Sequence, residues 1–577
     1  MDFGPGGKRA FASGYYFYNS RGAYRPVEGI TTNLYSPAVS AAAKKSSQAG
    51  NRNMSATAFP AATEAASQIL RAGGNAIDAA AAAAWALAVC EPSGSGLGGQ
   101  TTLLMYSPTG KCIVIDGHSY APEAVSKKSL TRARQKTGYG ATTIPSTPAT
   151  LDFAQRRYGL LSREQVMEPA IRLAHDGYAI TKLQRRQFSW CRRVLRESPP
   201  TAKLFLKGGR SYKAGEVLRQ PELANTLRRL SRHGSEDFYR GQMARAIVRD
   251  MKEHGGLITH NDLAECTLPV ERSPIEVDYR GCRVLTVPPP GGGLQILLAL
   301  KIIRQLIPDG DADTESWYEA VAEATHAVFC ERDRFPVHPR DLTDSLYQWL
   351  LSPHRVTQIA GAIRSSAGDV AVGPDVEEPG ETTHLCVADK QGNVVSLTQS
   401  IQSLFGAKVA NGRLGFLYNN YLTTCPRRQH PYQLGSHCIP RSNAAPTLVL
   451  APTSKAASEK GRRSSRFRPV LALGAAGSRR ITSGILQVIT NVVDRGMSVE
   501  QAVAFPRVHA LKSRKLYIER PAVNESLLAK FAERFRAVKM KAPHSYAMAA
   551  VQAIEFTKDG NMVGAADPRR DGTALGC

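Results

Sequence analysis

The sequence is short of acids: across 577 residues, 49 Asp and Glu stand against 74 Lys and Arg, a formal charge of +25. Those basic residues are scattered, with one concentration in residues 453–469 (TSKAASEKGRRSSRFRP). No RNA-recognition aromatic signature, zinc-finger spacing or basic leucine-zipper pattern goes with them. The excess therefore reads as an exposed basic loop, and no specific nucleic-acid partner is expected. The ten cysteines include no Cys-x-x-Cys pair, which removes zinc-ribbon and thioredoxin-type motifs; no metal and no cofactor is expected. No uncharged apolar run is long enough to span a bilayer, and residues 1–24 have no signal-peptide core, so a reduced, cytoplasmic protein is the expectation. A composition of 42% hydrophobic and 21% charged residues excludes disorder throughout.

Residues 1–52, rich in Gly, Ser, Ala, Tyr and Arg, read as an N-terminal extension, a partly disordered tail or an extended strap. From Ala61, AATEAASQILRAGGNAIDAAAAAAWALAV predicts two helices, the first stopped at Ala72-Gly73-Gly74 and the second N-capped by Asn75. The second is so rich in alanine that it must pack closely on something. Gly94, Gly96 and Gly99 have the spacing of a dinucleotide fingerprint, but a helix precedes them and strands follow, the reverse of what that motif needs. A loop that lets backbone approach something closely remains. Helical patterns dominate residues 162–351, interrupted by one short β segment, and strand alternation takes over beyond Thr382 before the helix SGILQVITNVVDRG. Strands flanked by helices predict a mixed α/β architecture.

One stretch, GETTHLCVADKQGNVVSLTQS from Gly380, raises a chemical question. A threonine in mid-strand has no base to take its proton. At a chain's first position its own α-amino group, with a pKa of about 7.7–8.0, serves as that base. Thr382 becomes a catalytic residue only if the Glu381–Thr382 bond is cut, and the preceding EPGE predicts the mobile, exposed segment such a cut requires.

This stretch, continued by IQSLFGAKV and GFLYNN, resembles the start of the small subunit in the γ-glutamyltranspeptidase family of N-terminal nucleophile hydrolases. ILRAGGNAIDAA, EPSGSGLGG, DGHSYAP, MEPAIRLAHDGY, YRGCRVLTVPPPGGG, APTLVL, GAAGSRRITSGILQVITNVVD and DPRRDGTALG follow in the family's order. The resemblance implies a four-layer αββα sandwich and a precursor that cleaves itself into a large subunit (53–381) and a small subunit (382–577). It implies that Thr382 attacks its own preceding carbonyl and then substrate amides, and that Ser400 stands where a second threonine hydrogen-bonds the nucleophile. Main-chain N–H groups of Ala476 and Gly477 would stabilise the oxyanion.

The acyl site departs from the family's pattern. His118 stands at the position of the arginine that holds an α-carboxylate. Tyr421 and Thr424 replace the glutamine and aspartate that hold the α-ammonium, and Gln402 replaces an asparagine. Ser442 and Asn443 stand for a serine pair; Asn420, Ser442 and Gly477 match outright. Losing one partner of a buried charge pair costs about 2–5 kcal/mol. The expectation is an amide hydrolase or acyltransferase with altered acyl specificity, acting on a small-molecule amide with water or an amine as acceptor. The alternatives are a true γ-glutamyltransferase and a non-catalytic binding protein. His118 reads equally as a loop histidine or a substrate contact, and Tyr421 as a wall filling the vacated space. Two further groupings are set aside: His384 and Cys386 share a strand face without a third group to orient the histidine, and Asp311, Asp313 and Glu315 lack the Gly and terminal Glu of a calcium loop.

Overall fold

The computed structural model describes residues 47–50, 53–265, 269–310, 312–365, 380–453 and 467–577. Residues 1–46 of the N-terminal extension, Asp311, the Glu378-Pro379 segment and most of the basic stretch (454–466) lie outside the described residues.

Two seven-stranded sheets carry the structure. In the first, the strands Gly380–Ala388 and Val394–Ser403 lie at the centre, flanked by Met54–Thr57 and Thr573–Gly576 on one side and by Gln100–Tyr106, Cys112–Gly117 and Val270–Arg272 on the other. The second runs Ser47–Gly50, Met562–Ala566, Ala550–Phe556, Phe467–Ala476, Thr447–Pro452, Cys282–Thr286, Ile275–Tyr279. Every pairing in both sheets is antiparallel. The inner faces meet through Met54, Leu104, Val114, Cys386 and Val394 of the first sheet and Leu285, Leu448, Ala472 and Ile554 of the second. Helices cover both outer faces, giving the expected four-layer αββα sandwich.

The alanine-rich helix explains how close the layers are. Helices form at Pro60–Arg71 and Ala76–Cys90, and the Asn75 side chain accepts from Ile77 N and Asp78 N as the sequence predicts. All fifteen residues of Ala76–Cys90 are buried, because alanine's small side chain lets the helix axis approach the first sheet, where Leu385, Val387, Val395 and Leu397 receive it. On the opposite side, helix Arg480–Val493 buries Ile485, Val488 and Ile489 against the second sheet, while Val492 and Val493 are half-buried at its end. Side chains alternate along Gly380–Ala388: Leu385 and Val387 face the alanine-rich helix and Cys386 and Ala388 face the other sheet. Thr382 and His384 therefore share the inter-sheet face.

Candidate active site

The Glu381–Thr382 bond does not lie in an exposed segment. Gly380 and Glu381 already belong to the central strand, with Glu381 4% and Thr382 6% exposed, which corrects the expectation drawn from EPGE for its described half. The physical reason is a partner distant in sequence. The Glu381 carboxylate pairs with Arg570 at 3.3 Å and hydrogen-bonds the Tyr546 hydroxyl, and the Arg570 guanidinium stacks on the Tyr546 ring at 3.8 Å.

The pairing of the two central strands is irregular at this bond. Glu381 opposes Gln402 and Thr383 opposes Gln399, so Ile401 and Ser400 together face Thr382. This bulge, with Gln402 at φ +80°, re-aims Ser400. The Ser400 hydroxyl donates to the Glu381 carbonyl oxygen at 2.9 Å and accepts from the Thr382 hydroxyl at 3.3 Å and the Gln402 N–H at 2.9 Å. One oxygen thus holds both the hydroxyl that would attack and the carbonyl oxygen that would take up charge.

The glycine loop is the backing of this bond. A Cβ on Gly94 would meet Glu381 Cγ at 3.2 Å and the Thr382 carbonyl at 3.5 Å; one on Gly98 or Gly99 would collide with the carbonyls of Leu417 and Ser400. Gly94 and Gly99 thus approach the strands carrying Thr382 and Ser400, and Gly98 the strand of Leu417. Opposite them, Ala476 closes its strand with Ala550 as partner, and Gly477 takes φ +128°, a conformation L side chains rarely adopt. Ala476 is not among the positive-φ residues, so alanine is tolerated where the family has glycine. The turn touches the cleavage strand, since a Cβ on Gly380 would meet Ser478 at 2.6 Å.

The acyl-site candidates are joined by one chain of contacts. The Tyr421 hydroxyl reaches the Ser400 and Gln100 side chains; burial pushes its phenol up, against the pull of those two hydrogen bonds. Gln100 Oε1 in turn accepts from the Ser119 N–H at 2.9 Å and hydroxyl at 2.8 Å, next to His118. Tyr421 thus touches the residue that holds Thr382. His118 Nδ1 hydrogen-bonds Asp116, whose other oxygen takes Arg272 at 2.8 Å. Burial alone would raise the Asp116 carboxyl, but His118 and Arg272 hold it well below the usual range. His118 Nε2 has no partner among the described residues, and the ring lines a cavity of about 330 Å³ shared with Tyr120, Arg272, Arg340 and Ile439.

Other candidates are spent internally. Asn420 accepts from Ser403 N and donates to Lys136 O and Ser403 Oγ. Thr424 donates to the Tyr421 carbonyl at 3.0 Å, and Asn443 Oδ1 accepts from Arg332 at 2.5 Å. Arg332 also holds the Ser442 carbonyl at 2.8 Å; burial, with Arg441 and Arg479 adding, pushes its guanidinium down to about 10. Ser442 Oγ accepts from Ala444 N and keeps its own hydrogen to give.

His384 and Cys386 approach at 3.4 Å but are fully buried; burial holds the imidazole down at about 3 and pushes the thiol up, so neither ionises near neutrality. Asp313 N-caps a helix and Glu315 bonds Asn524, Ser526 and Lys530. Sequence reasoning passed over Arg570, Tyr546, Gln100 and Glu91. Glu91 ends the alanine-rich helix beside Thr383 with Oε2 unpartnered among the described residues. Burial pushes its carboxyl up to about 8, against Thr383 and Arg570, with Glu381 and Asp571 adding to the push. The only signals were the EPSGSGLGG and DPRRDG motifs that contain Glu91 and Arg570.

Two facing sheets between helical layers place the chain among N-terminal nucleophile hydrolases. It superposes on the cephalosporin acylase from Bacillus halodurans with a TM-score of 0.81 at 27% identity, covering 97% of this chain and 99% of that one. In sequence it is 30% identical over 554 residues to the glutathione hydrolase proenzyme of Escherichia coli strain K12, covering 90% of each. It is 31% identical over 554 residues to the acylase ACY 1 proenzyme of Pseudomonas sp. strain SE83, covering 92% of this chain and 95% of that one. Residues 62–577 match the gamma-glutamyltranspeptidase family, and the chain belongs to that family. It is a self-processing amide hydrolase or acyltransferase. Among the described residues no helix is long and apolar enough to cross a membrane.

Proposed function

We propose that the chain cuts itself between Glu381 and Thr382 and then acylates Thr382 from amides whose acyl group carries no α-ammonium. The observation that carries this is the Ser400 hydroxyl, bonded at once to the Thr382 hydroxyl and the Glu381 carbonyl. In the first step the Thr382 oxygen attacks the Glu381 carbonyl carbon, its hydroxyl proton ending on the departing Thr382 nitrogen, and Ser400 donates to the carbonyl oxygen as it gains charge. The C–N bond breaks to leave an ester and a free Thr382 amine, and water then cleaves the ester. In turnover that amine takes the hydroxyl proton as the oxygen attacks a substrate amide, with the N–H groups of Ala476 and Gly477 as oxyanion donors, and passes it to the substrate amine that leaves as the amide C–N bond breaks. The acyl group then passes to water or an amine. The pieces are residues 1–381 and 382–577.

Specificity follows from what surrounds the acyl group. No carboxylate replaces the family's aspartate: Thr424 spends its hydroxyl on backbone, and Tyr421 fills the neighbouring space. An α-ammonium buried there goes unpaired, at a cost of about 2–5 kcal/mol. His118 Nε2, the Ser442 hydroxyl and Gln402 remain to meet the acyl chain.

The test begins with intact mass, expected to show two pieces for the native chain and one for Thr382→Ala. A γ-glutamyl anilide is then compared with its glutaryl counterpart, which lacks only the α-ammonium. The expected kcat/KM favours glutaryl by at least tenfold; brisk γ-glutamyl turnover overturns the specificity assignment, and an uncut, folded native chain overturns the whole reading.

A further inference from the structure

Cys425 and Cys438 bracket a twelve-residue loop, 426–437, that joins the two halves of the acyl site. Tyr421 and Thr424 precede the first cysteine; Ile439, Ser442 and Asn443 follow the second. The loop already closes at its neck, where Leu434 N donates to the Pro426 carbonyl at 2.9 Å. The two sulfurs lie 3.5 Å apart. Each cysteine is anchored to the part of the chain that carries His118: Ala121 N donates to the Cys438 carbonyl at 2.9 Å, and Gln135 Nε2 donates to the Cys425 carbonyl at 2.7 Å. Leu422, Leu434, Ala121, Val125 and Leu130 pack around the pair.

We infer that Cys425 and Cys438 are a reversible dithiol–disulfide site that staples the neck of this loop and so locks the acyl site's two halves together. The sulfurs need to close by only about 1.5 Å to reach bonding distance. Cys425 is 2% exposed and Cys438 is half-buried, so Cys438 meets a reagent first. Its thiol is lowered chiefly by the hydrogen bond with Cys425, which favours the attacking thiolate. With a small-molecule disulfide as oxidant, the Cys438 thiolate attacks one sulfur and releases one thiol. Cys425 then loses its proton, attacks the Cys438 sulfur of the mixed disulfide and releases the second thiol. Two protein thiols are oxidised and one reagent disulfide is reduced to two thiols. In a reducing compartment such a bond is transient and regulatory rather than structural.

The chain is equilibrated with hydroxyethyl disulfide, freed of reagent, alkylated and mapped by mass spectrometry, whether it is intact or cut, so the map does not depend on self-cleavage, whereas the KM readout rests on the proposed function. The expected map shows a Cys425–Cys438 link and loss of two hydrogens, reversed by dithiothreitol. Cys425→Ser and Cys438→Ser each abolish the link, leaving at most a reagent adduct on the remaining cysteine. In the native chain the KM for a turned-over acyl donor changes at least threefold between the two forms, and in either serine variant it does not. Alkylation of both thiols after oxidation, a link to another cysteine, or an unchanged KM on full oxidation overturns the inference.

Discussion

Replacing Ser400 by alanine separates a hydroxyl that drives the cut from one that merely fills space. Besides its contact with Tyr421 the hydroxyl bonds Thr382, Glu381 and Gln402, and its removal leaves the Glu381 carbonyl and the Gln402 N–H buried without that partner, each costing about 1–3 kcal/mol of stability. Only the part that grows in the transition state slows the reaction. The bond to the Glu381 carbonyl is that part, because its acceptor passes from a neutral carbonyl oxygen to an oxyanion. Removing one such donor costs about a hundredfold to a thousandfold, or about 2.7–4 kcal/mol. Ser400→Ala is therefore expected to slow self-cleavage by about a hundredfold or more and to accumulate a 62.5 kDa chain. Ser400→Thr keeps the hydroxyl and adds one methyl at a position 3% exposed, so it should cleave within about tenfold of the native rate. The assay follows freshly purified chains by denaturing electrophoresis and intact mass, with circular dichroism to confirm folding. A folded Ser400→Ala chain that matures as fast as the native one refutes the reasoning.

Arg570→Met removes the partner of a buried carboxylate and should lower stability by about 3–5 kcal/mol, measured by urea unfolding in the uncut Thr382→Ala chain. In that chain Glu91 binds a proton that the unfolded chain releases above pH 4.5, so its contribution is fully present below that value and is lost as pH rises towards about 8. Glu91→Gln should flatten the fall of unfolding free energy over this window by up to about 1.4 kcal/mol per pH unit; parallel curves contradict the assignment. Cys386→Ala should leave self-cleavage and turnover within about twofold of native, because its thiol and the His384 imidazole stay un-ionised; a thousandfold loss would restore the dyad.

How much of this was legible depended on the distance over which each feature is determined. The Asn75 cap, the paired helices and the alternation along Gly380–Ala388 are set by neighbours a few residues apart, and the sequence shows them directly. The glycine loop was half legible: the helix before it and the strands after it ruled out a nucleotide site and its glycines signalled a close approach, but only the fold shows that Gly94 and Gly99 approach the strands of Thr382 and Ser400. The burial of Glu381 was illegible, since the Arg570 that neutralises it lies 189 residues away and a charged residue after Pro-Gly reads locally as exposed. The bulge facing Ser400 towards Thr382 leaves no local mark either, because Gln402 is an ordinary residue in an unusual conformation. The acyl site divides the same way. The replacements at His118, Tyr421 and Thr424 announce altered chemistry, and two of their partners are local, Asp116 beside His118 and the Tyr421 backbone beside Thr424, whereas the Gln100 and Ser400 that Tyr421 reaches come from distant strands. What a self-cutting bond needs is a carbonyl held rigidly against its attacker, and rigidity here is the product of long-range pairing, the property a linear reading recovers last.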